Sequence, residues 1–173
     1  MICFARSVTR GNAVSTRLWA RRWSRTGRLG TVLRLSSGTH NVTGSTTVAS
    51  DIAGNSMAAW SQHGSTGQTL VFGRRIPATG TPGRITYLGV GDSPAVTVDD
   101  HGDGLAVWQS PGPYTVLNKL YGRKIARSGG FGPKILLSPN GRFAHAASTP
   151  WGHLAVIWQQ STIPWPVQAR FGP

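Results

Sequence analysis

Three times in this chain a glycine is followed six residues later by a tryptophan, with a short apolar run between them. The copies are Gly54 to Trp60 (GNSMAAW), Gly102 to Trp108 (GDGLAVW) and Gly152 to Trp158 (GHLAVIW), with the tryptophans 48 and then 50 residues apart. A unit of this size cannot bury an apolar face alone and becomes stable by stacking on copies of itself. The repeat therefore restricts the chain to architectures assembled from equivalent small units.

A second motif keeps the same phase. It reads Ala20-Arg21, Gly73-Arg74, Gly122-Arg123 and Ala169-Arg170, and the first three copies are spaced by 53 and 49 residues. Paired glycines follow those three, Gly27 and Gly30, Gly80 and Gly83, Gly129 and Gly132, and apolar stretches then end at Leu35-Ser36, Leu88-Gly89 and Leu137-Ser138. Two independent motifs on one period describe a duplicated unit of about 50 residues.

Each full unit divides into four strand-like pieces. In the first they span 45–51, 56–63, 69–76 and 83–89; in the second, 93–99, 104–110, 117–125 and 133–138. Glycines and aspartates fall at the breaks, where a tight turn needs positive φ or a side-chain cap. Runs such as LAVW and LAVIW are apolar on both faces, as in a strand enclosed between two neighbouring sheets. The composition agrees, with 23 Gly, 11 Pro, 7 Trp and no long helical pattern. The expected fold is all-β, a β-propeller-like array of four-stranded antiparallel blades with about three to three and a half repeats, that is, a partial propeller. Residues 1–15 are set apart as a basic N-terminal segment, and 16–173 form the repeat domain: a partial repeat at 16–36, repeats at 44–89 and 93–138, and a partial repeat at 143–173.

The ends are incomplete in complementary ways. The N-terminal part offers late strands (16–24 and 30–36), and the C-terminal part early ones (143–149, 153–160 and 167–171). Closed propellers need about four to eight blades, and an open array exposes strand edges. A homodimer could close one six-bladed ring, strand 30–36 of one chain completing the last sheet of the other. The chain could equally be a piece of a longer repeat protein.

The segment SPAVTVDDHGDGLAVWQS, followed by LYGRKIARSGGFGPKILLS, resembles the tandem propeller-like repeats of large bacterial extracytoplasmic proteins. Those repeats run approximately P-x-V-A-V-D-x-x-G-N-A-V-V-V-W, then V-x-A-R, G-x-x-G and L-S. The resemblance covers 16–173 and is best at 93–138; in the last copy Ser148-Thr149-Pro150 stands where the pattern has Val-Asp. It implies a secreted or cell-surface scaffold and no particular reaction. Residues 1–5 offer too short an apolar core for a secretory signal, which needs about 7–15 residues. No stretch approaches the roughly 20 apolar residues of a membrane span.

Few residues are placed to do chemistry. Asp99, His101 and Asp103 alternate around glycines as oxygen ligands do in a calcium loop. His101 brings nitrogen where a hard cation wants oxygen, and the chain has no Glu to close such a loop. The plainer reading of Asp99 and Asp103 is a polar hairpin turn at the repeat's fixed turn position. Trp60, Trp108 and Trp158 sit at the ends of inner apolar runs and read as packing between blades. Trp19, Trp23, Trp151 and Trp165 lie off that position and are the better surface candidates. Trp151 and above all Trp165, flanked by prolines, are the candidates for ligand contact, as aromatic faces stack on sugar rings.

Net charge is +13, and +8 of it lies in residues 1–36, which carry eight arginines and no acid. Arg21, Arg22, Arg25 and Arg28, interleaved with Trp19 and Trp23, could bind an anion or nucleic acid by neutralising phosphates. Because Ala20-Arg21 and Gly27/Gly30 fall in the repeat's phase, a solvated strand face is the simpler reading, and nucleic acid is not the expected partner. No phosphate loop, HExxH or paired-cysteine motif is present, and no cofactor is implied. The leading expectation is a non-enzymatic binding or scaffold module that holds a protein or glycan through its inter-strand loops. The alternatives are a glycosidase-like propeller fragment, for which five aspartates and no Glu leave little room for a carboxylate pair, or a nucleic-acid binder through the Arg-rich end.

Overall fold

The computed structural model describes residues 2–10, 13–24, 26–38, 41–110, 118–160 and 167–172, with side chains described except at 2–10, 13–15, 44 and 171. Every helix or strand among them is a strand. In chain order they are β1 (Ile2–Arg10), β2 (Ala13–Trp23), β3 (Leu29–Arg34), β4 (Val42–Ser50), β5 (Ser56–His63), β6 (Thr69–Ile76) and β7 (Ile85–Val90). There follow β8 (Asp92–Val98), β9 (Gly104–Ser110), β10 (Lys119–Ile125), β11 (Ile135–Ser138), β12 (Gly141–Ser148), β13 (Leu154–Gln160) and β14 (Val167–Gly172). They form four sheets of consecutive antiparallel strands: β1-β2-β3, β4-β5-β6-β7, β8-β9-β10-β11 and β12-β13-β14. The second and third are the two full repeats, and β5 and β6 begin and end on the residues read from the sequence.

The N-terminal segment is more than a basic arm. Its β1 pairs with β2 along its whole length, from Ile2 opposite Arg21 to Arg10 opposite Ala13. Ile2, Phe4, Val8 and Thr9 supply the β-branched and aromatic character a strand favours, which the arginines obscured. In register, Phe4 lies opposite Trp19 as Trp60 lies opposite Phe72 and Trp108 opposite Tyr121. The first sheet thus holds the second, third and fourth strands of a unit, and the last sheet holds the first, second and third.

Burial explains why the units need one another. The core divides into three clusters, each at a seam between successive sheets. Leu18, Ala20 and Leu35 of the first sheet meet Ala58 and Trp60 of the second. Met57, Val71 and Leu88 of the second meet Ala106 and Trp108 of the third. Leu105, Val107 and Leu120 of the third meet Val156 and Trp158 of the last. A strand such as β5 faces one seam with Ala58 and Trp60 and the next with Met57, so it is apolar on both sides. The both-face burial expected of LAVW holds in β9, where Leu105 to Trp108 are all buried. It does not hold for LAVIW in β13, where Ile157 is 44% exposed because no described sheet packs on that side.

Polar ties fix the register between sheets. The inner strands β8 and β12 each carry a bulge with a non-glycine residue at positive φ, Ser93 (50°) and Phe143 (51°). Each bulge N–H is met by a side-chain oxygen. Ser93 N–H donates to Asp92 Oδ1, which also accepts from Ser61 Oγ of the preceding sheet at 2.7 Å. Phe143 N–H donates directly to Gln109 Oε1 of the preceding sheet at 3.0 Å. Arg74 reaches back in the other direction, donating from Nη1 to the carbonyls of Arg34 and Leu35 at 3.0 and 2.9 Å. Its burial among these groups pushes the guanidinium pKa below the usual arginine value.

Candidate functional site

Two sets of turns gather at one end of the array: those joining first to second strands, and those joining third to fourth. Asp51 opens the first of them. Its Oδ1 accepts from Asn55 N–H and its Oδ2 from Asn55 Nδ2, both at 2.8 Å, while Gly54 takes φ of 84° to complete the turn. Asn55 Oδ1 then accepts from Ala78 N–H in the adjacent β6–β7 turn at 3.0 Å. The next unit repeats this with carboxylates. Asp99 Oδ1 accepts from His101 and Asp103 N–H at 2.8 and 2.9 Å, and Asp103 Oδ1 from Arg127 N–H at 2.8 Å. In the last unit Thr149 Oγ1 does the capping, accepting from His153 N–H at 3.2 Å.

This locates Asp99 and Asp103. Asp99 is buried and turned to its own backbone, with His101 Nδ1 4.0 Å from its second oxygen. Asp103 latches the neighbouring turn. Among the described residues no three His, Cys, Asp or Glu side chains gather around one point. Trp151 stands at the tip of the last turn, 79% exposed, at the place held by His101 and Ala53 in the other units. Trp165 lies outside the described residues.

The arginines divide by task. Arg21 Nε donates to Gly30 O at 2.7 Å, within its own hairpin, just as Arg74 Nε donates to Gly83 O. Arg22 Nη2 crosses to the second sheet, donating to Pro77 O at 2.6 Å and Gly80 O at 3.2 Å. Arg28 is exposed on the β2–β3 turn, and Arg25 lies outside the described residues. Of the three that are described, Arg21 and Arg22 are engaged by backbone carbonyls, and Arg28 is exposed.

The arrangement brings together a cleft that the sequence alone did not delimit. Between the first and second sheets, at the turn end, a cavity of about 420 Å³ is lined by Arg22, Trp23, Arg28, Leu29, Ser56 and Ala78. Trp23 presents an exposed ring, Arg28 a cation and Ser24 a hydroxyl, while the Ser56 hydroxyl is buried and bonded to Ser50 Oγ at 2.8 Å. Such a set can stack on a flat apolar face and hydrogen-bond at its rim. The available signal was Trp23 beside the phased Arg21-Arg22 pair. What the sequence could not give was the partner wall from the β4–β5 and β6–β7 turns.

The leech intramolecular trans-sialidase superposes on this chain with a TM-score of 0.52 and 12% identity, over 91% of this chain and 28% of the sialidase. A thermostable family-43 glycoside hydrolase (0.47, 10% identity, 96% and 69% covered) and an endo-arabinase from Bacteroides thetaiotaomicron (0.46, 14%, 99% and 70%) also align. The chain is a partial β-propeller. It spans little more than a quarter of the trans-sialidase, and at these identities the likeness is one of fold. No family model and no curated protein matches it, so the repeat-family resemblance rests on the motif residues themselves.

Proposed function

We propose that this propeller module is a non-enzymatic binding scaffold that holds a glycan at its turn end, with Trp23 and Trp151 as stacking platforms. The observation that carries this reading is the commitment of the carboxylates. Asp51, Asp92, Asp99 and Asp103 each accept backbone hydrogen bonds that shape a turn or bulge. Only Asp100 is left of the five, and glycoside hydrolysis ordinarily needs two carboxyl groups facing one bond. Exposed aromatic rings, by contrast, stand at that end, Trp151 on a turn tip and Trp23 at the last residue of β2, away from the seams. The resemblance of the motif residues to bacterial extracytoplasmic repeats favours a scaffold that is secreted or on a cell surface.

The test is calorimetry against immobilised and free oligosaccharides, neutral and acidic, with reducing-end release followed in parallel. Binding without hydrolysis is expected, weakened at least about tenfold by Trp23→Ala with the circular dichroism spectrum unchanged. Hydrolysis, or binding indifferent to both Trp23→Ala and Trp151→Ala, would overturn the reading.

A further inference from the structure

Positions buried in every inner unit are open on the last sheet. Register fixes the equivalence: Val71 pairs with Ser61, Leu120 with Gln109 and Val167 with Gln159, each partner one residue past the repeat tryptophan. Val71 and Leu120 are fully buried, whereas Val167 is 73% exposed. One residue before the tryptophan the pattern recurs, with Ala59 and Val107 at 0% and Ile157 at 44%. In the inner units these positions form the outgoing half of a seam, over which the next sheet lays its aromatic residues. The last sheet carries the same half-seam, and within the chain nothing described covers it.

The first sheet carries the matching incoming half. Phe72 and Tyr121, third-strand aromatics opposite the repeat tryptophan, pack back onto the seam with the preceding sheet. Trp19 holds that same register position in β2. Val32, opposite Arg21, stands where Ile85 stands opposite Arg74; Ile85 packs on its seam, whereas Val32 is 48% exposed. Among the described residues the first and last sheets are separated by the two between them and share no substantial packing.

We propose that the open face of the last sheet, centred on Ile157 and Val167, docks onto the outer face of the first sheet of a second copy, around Trp19. The contact is head to tail and continues the stacking already present at the three internal seams. Because β3 is paired to β2 in its own sheet, what docks is a whole sheet face, not a donated strand. Four sheets from each of two copies fit the upper end of the four-to-eight range in which such rings close.

Light scattering on a size-exclusion column, at about 0.3 M salt to screen the basic surface, should give twice the chain mass of 18.4 kDa. Val167→Asp should halve that mass with circular dichroism unchanged. Should Val167→Asp fail to fold, cross-linking decides. Trp19→Cys and Val167→Cys, each in a Cys3→Ser background, are mixed and oxidised, and only the mixed disulfide dimer is expected. A monomeric wild type, a mass above two chains, a dimer indifferent to Val167→Asp, or disulfides between like variants would each overturn the proposal.

Discussion

Trp108 and Trp158 occupy the same place in successive repeats, yet their surroundings differ. Trp108 is fully buried at the seam of the two complete sheets, and its Nε1 donates to Val90 O at 3.3 Å. Trp158 is 6% exposed, and its buried Nε1 finds no partner among the described residues. The cause lies in the preceding connection. Leu88 leads to Gly91 through two residues, while Leu137 leads to the equivalent Gly141 through three. Both glycines press on the ring of the following tryptophan, but the extra residue moves the carbonyl that Val90 supplies at the earlier seam. A repeat thus keeps its packing before it keeps its hydrogen bonds. Packing needs only apolar volume in the right place, whereas the bond needs one atom in one direction.

The largest test of this contrast is truncation of the two rings. Trp108→Ala removes a fully buried aromatic and is expected to cost about 3–5 kcal/mol, a large part of the roughly 5–15 kcal/mol that holds a domain folded. Trp158→Ala loses similar volume but no hydrogen bond, and one face of its sheet is already open. Urea denaturation should find it cheaper by about 1 kcal/mol or more. Equal costs would break the comparison. At the neighbouring position, Gly91→Ala would drive a methyl group into the carbonyl of Gln109, so it should destabilise far more than Gly67→Ala, which has the strained φ but meets nothing.

The repeated arginines sharpen the same point at smaller scale. Arg74 donates to Gly83, Pro82, Arg34 and Leu35 carbonyls, which join two sheets. Arg123, one repeat later, has its Nε buried without a partner among the described residues. Replacing Arg74 by Met should cost about 1.5–3 kcal/mol, the range for hydrogen bonds made by a charged group. Arg123→Met should be close to neutral, since removing an unmet buried donor offsets the loss of packing. Thermal melts of the two variants would separate these outcomes, and an Arg123 effect as large as that of Arg74 would show the motif acts alike in each unit.

What the sequence disclosed follows from this division between volume and direction. The period, the two-faced apolar strands and the turn glycines are local or repetitive, so Trp60 and Trp108 could be assigned to seams and Gly54 and Gly102 to turns. The strand at Ile2–Arg10 was hidden because its glycine turn and tryptophan are missing and its arginines dominate the composition. The cleft by Trp23 was hidden for another reason. One wall comes from Arg22, Trp23, Ser24, Arg28 and Leu29 and the other from Ser50, Ser56 and Ala78, and no local pattern states which turns will face one another. Asp99 and Asp103 show the converse: their alternation had two chemical readings, and the hydrogen bonds to His101, Asp103 and Arg127 show which backbone groups they hold.

The smallest expected effect concerns those turn latches, and it asks whether they organise the proposed binding end. Asn55 and Asp103 each join the turn between first and second strands to the turn between third and fourth. In the last unit His153 occupies that position, with its backbone N–H bonded to Thr149 Oγ1. Asn55→Ala and Asp103→Ala should each cost about 1 kcal/mol, and His153→Ala close to nothing. Asn55 also braces the Ala78 wall of the cleft, so Asn55→Ala should weaken glycan binding at Trp23, whereas Asp103→Ala should leave that site unchanged. Equal binding losses from both variants would mean that the turn end responds as one body, and the distinction between a local cleft and a shared scaffold would fall.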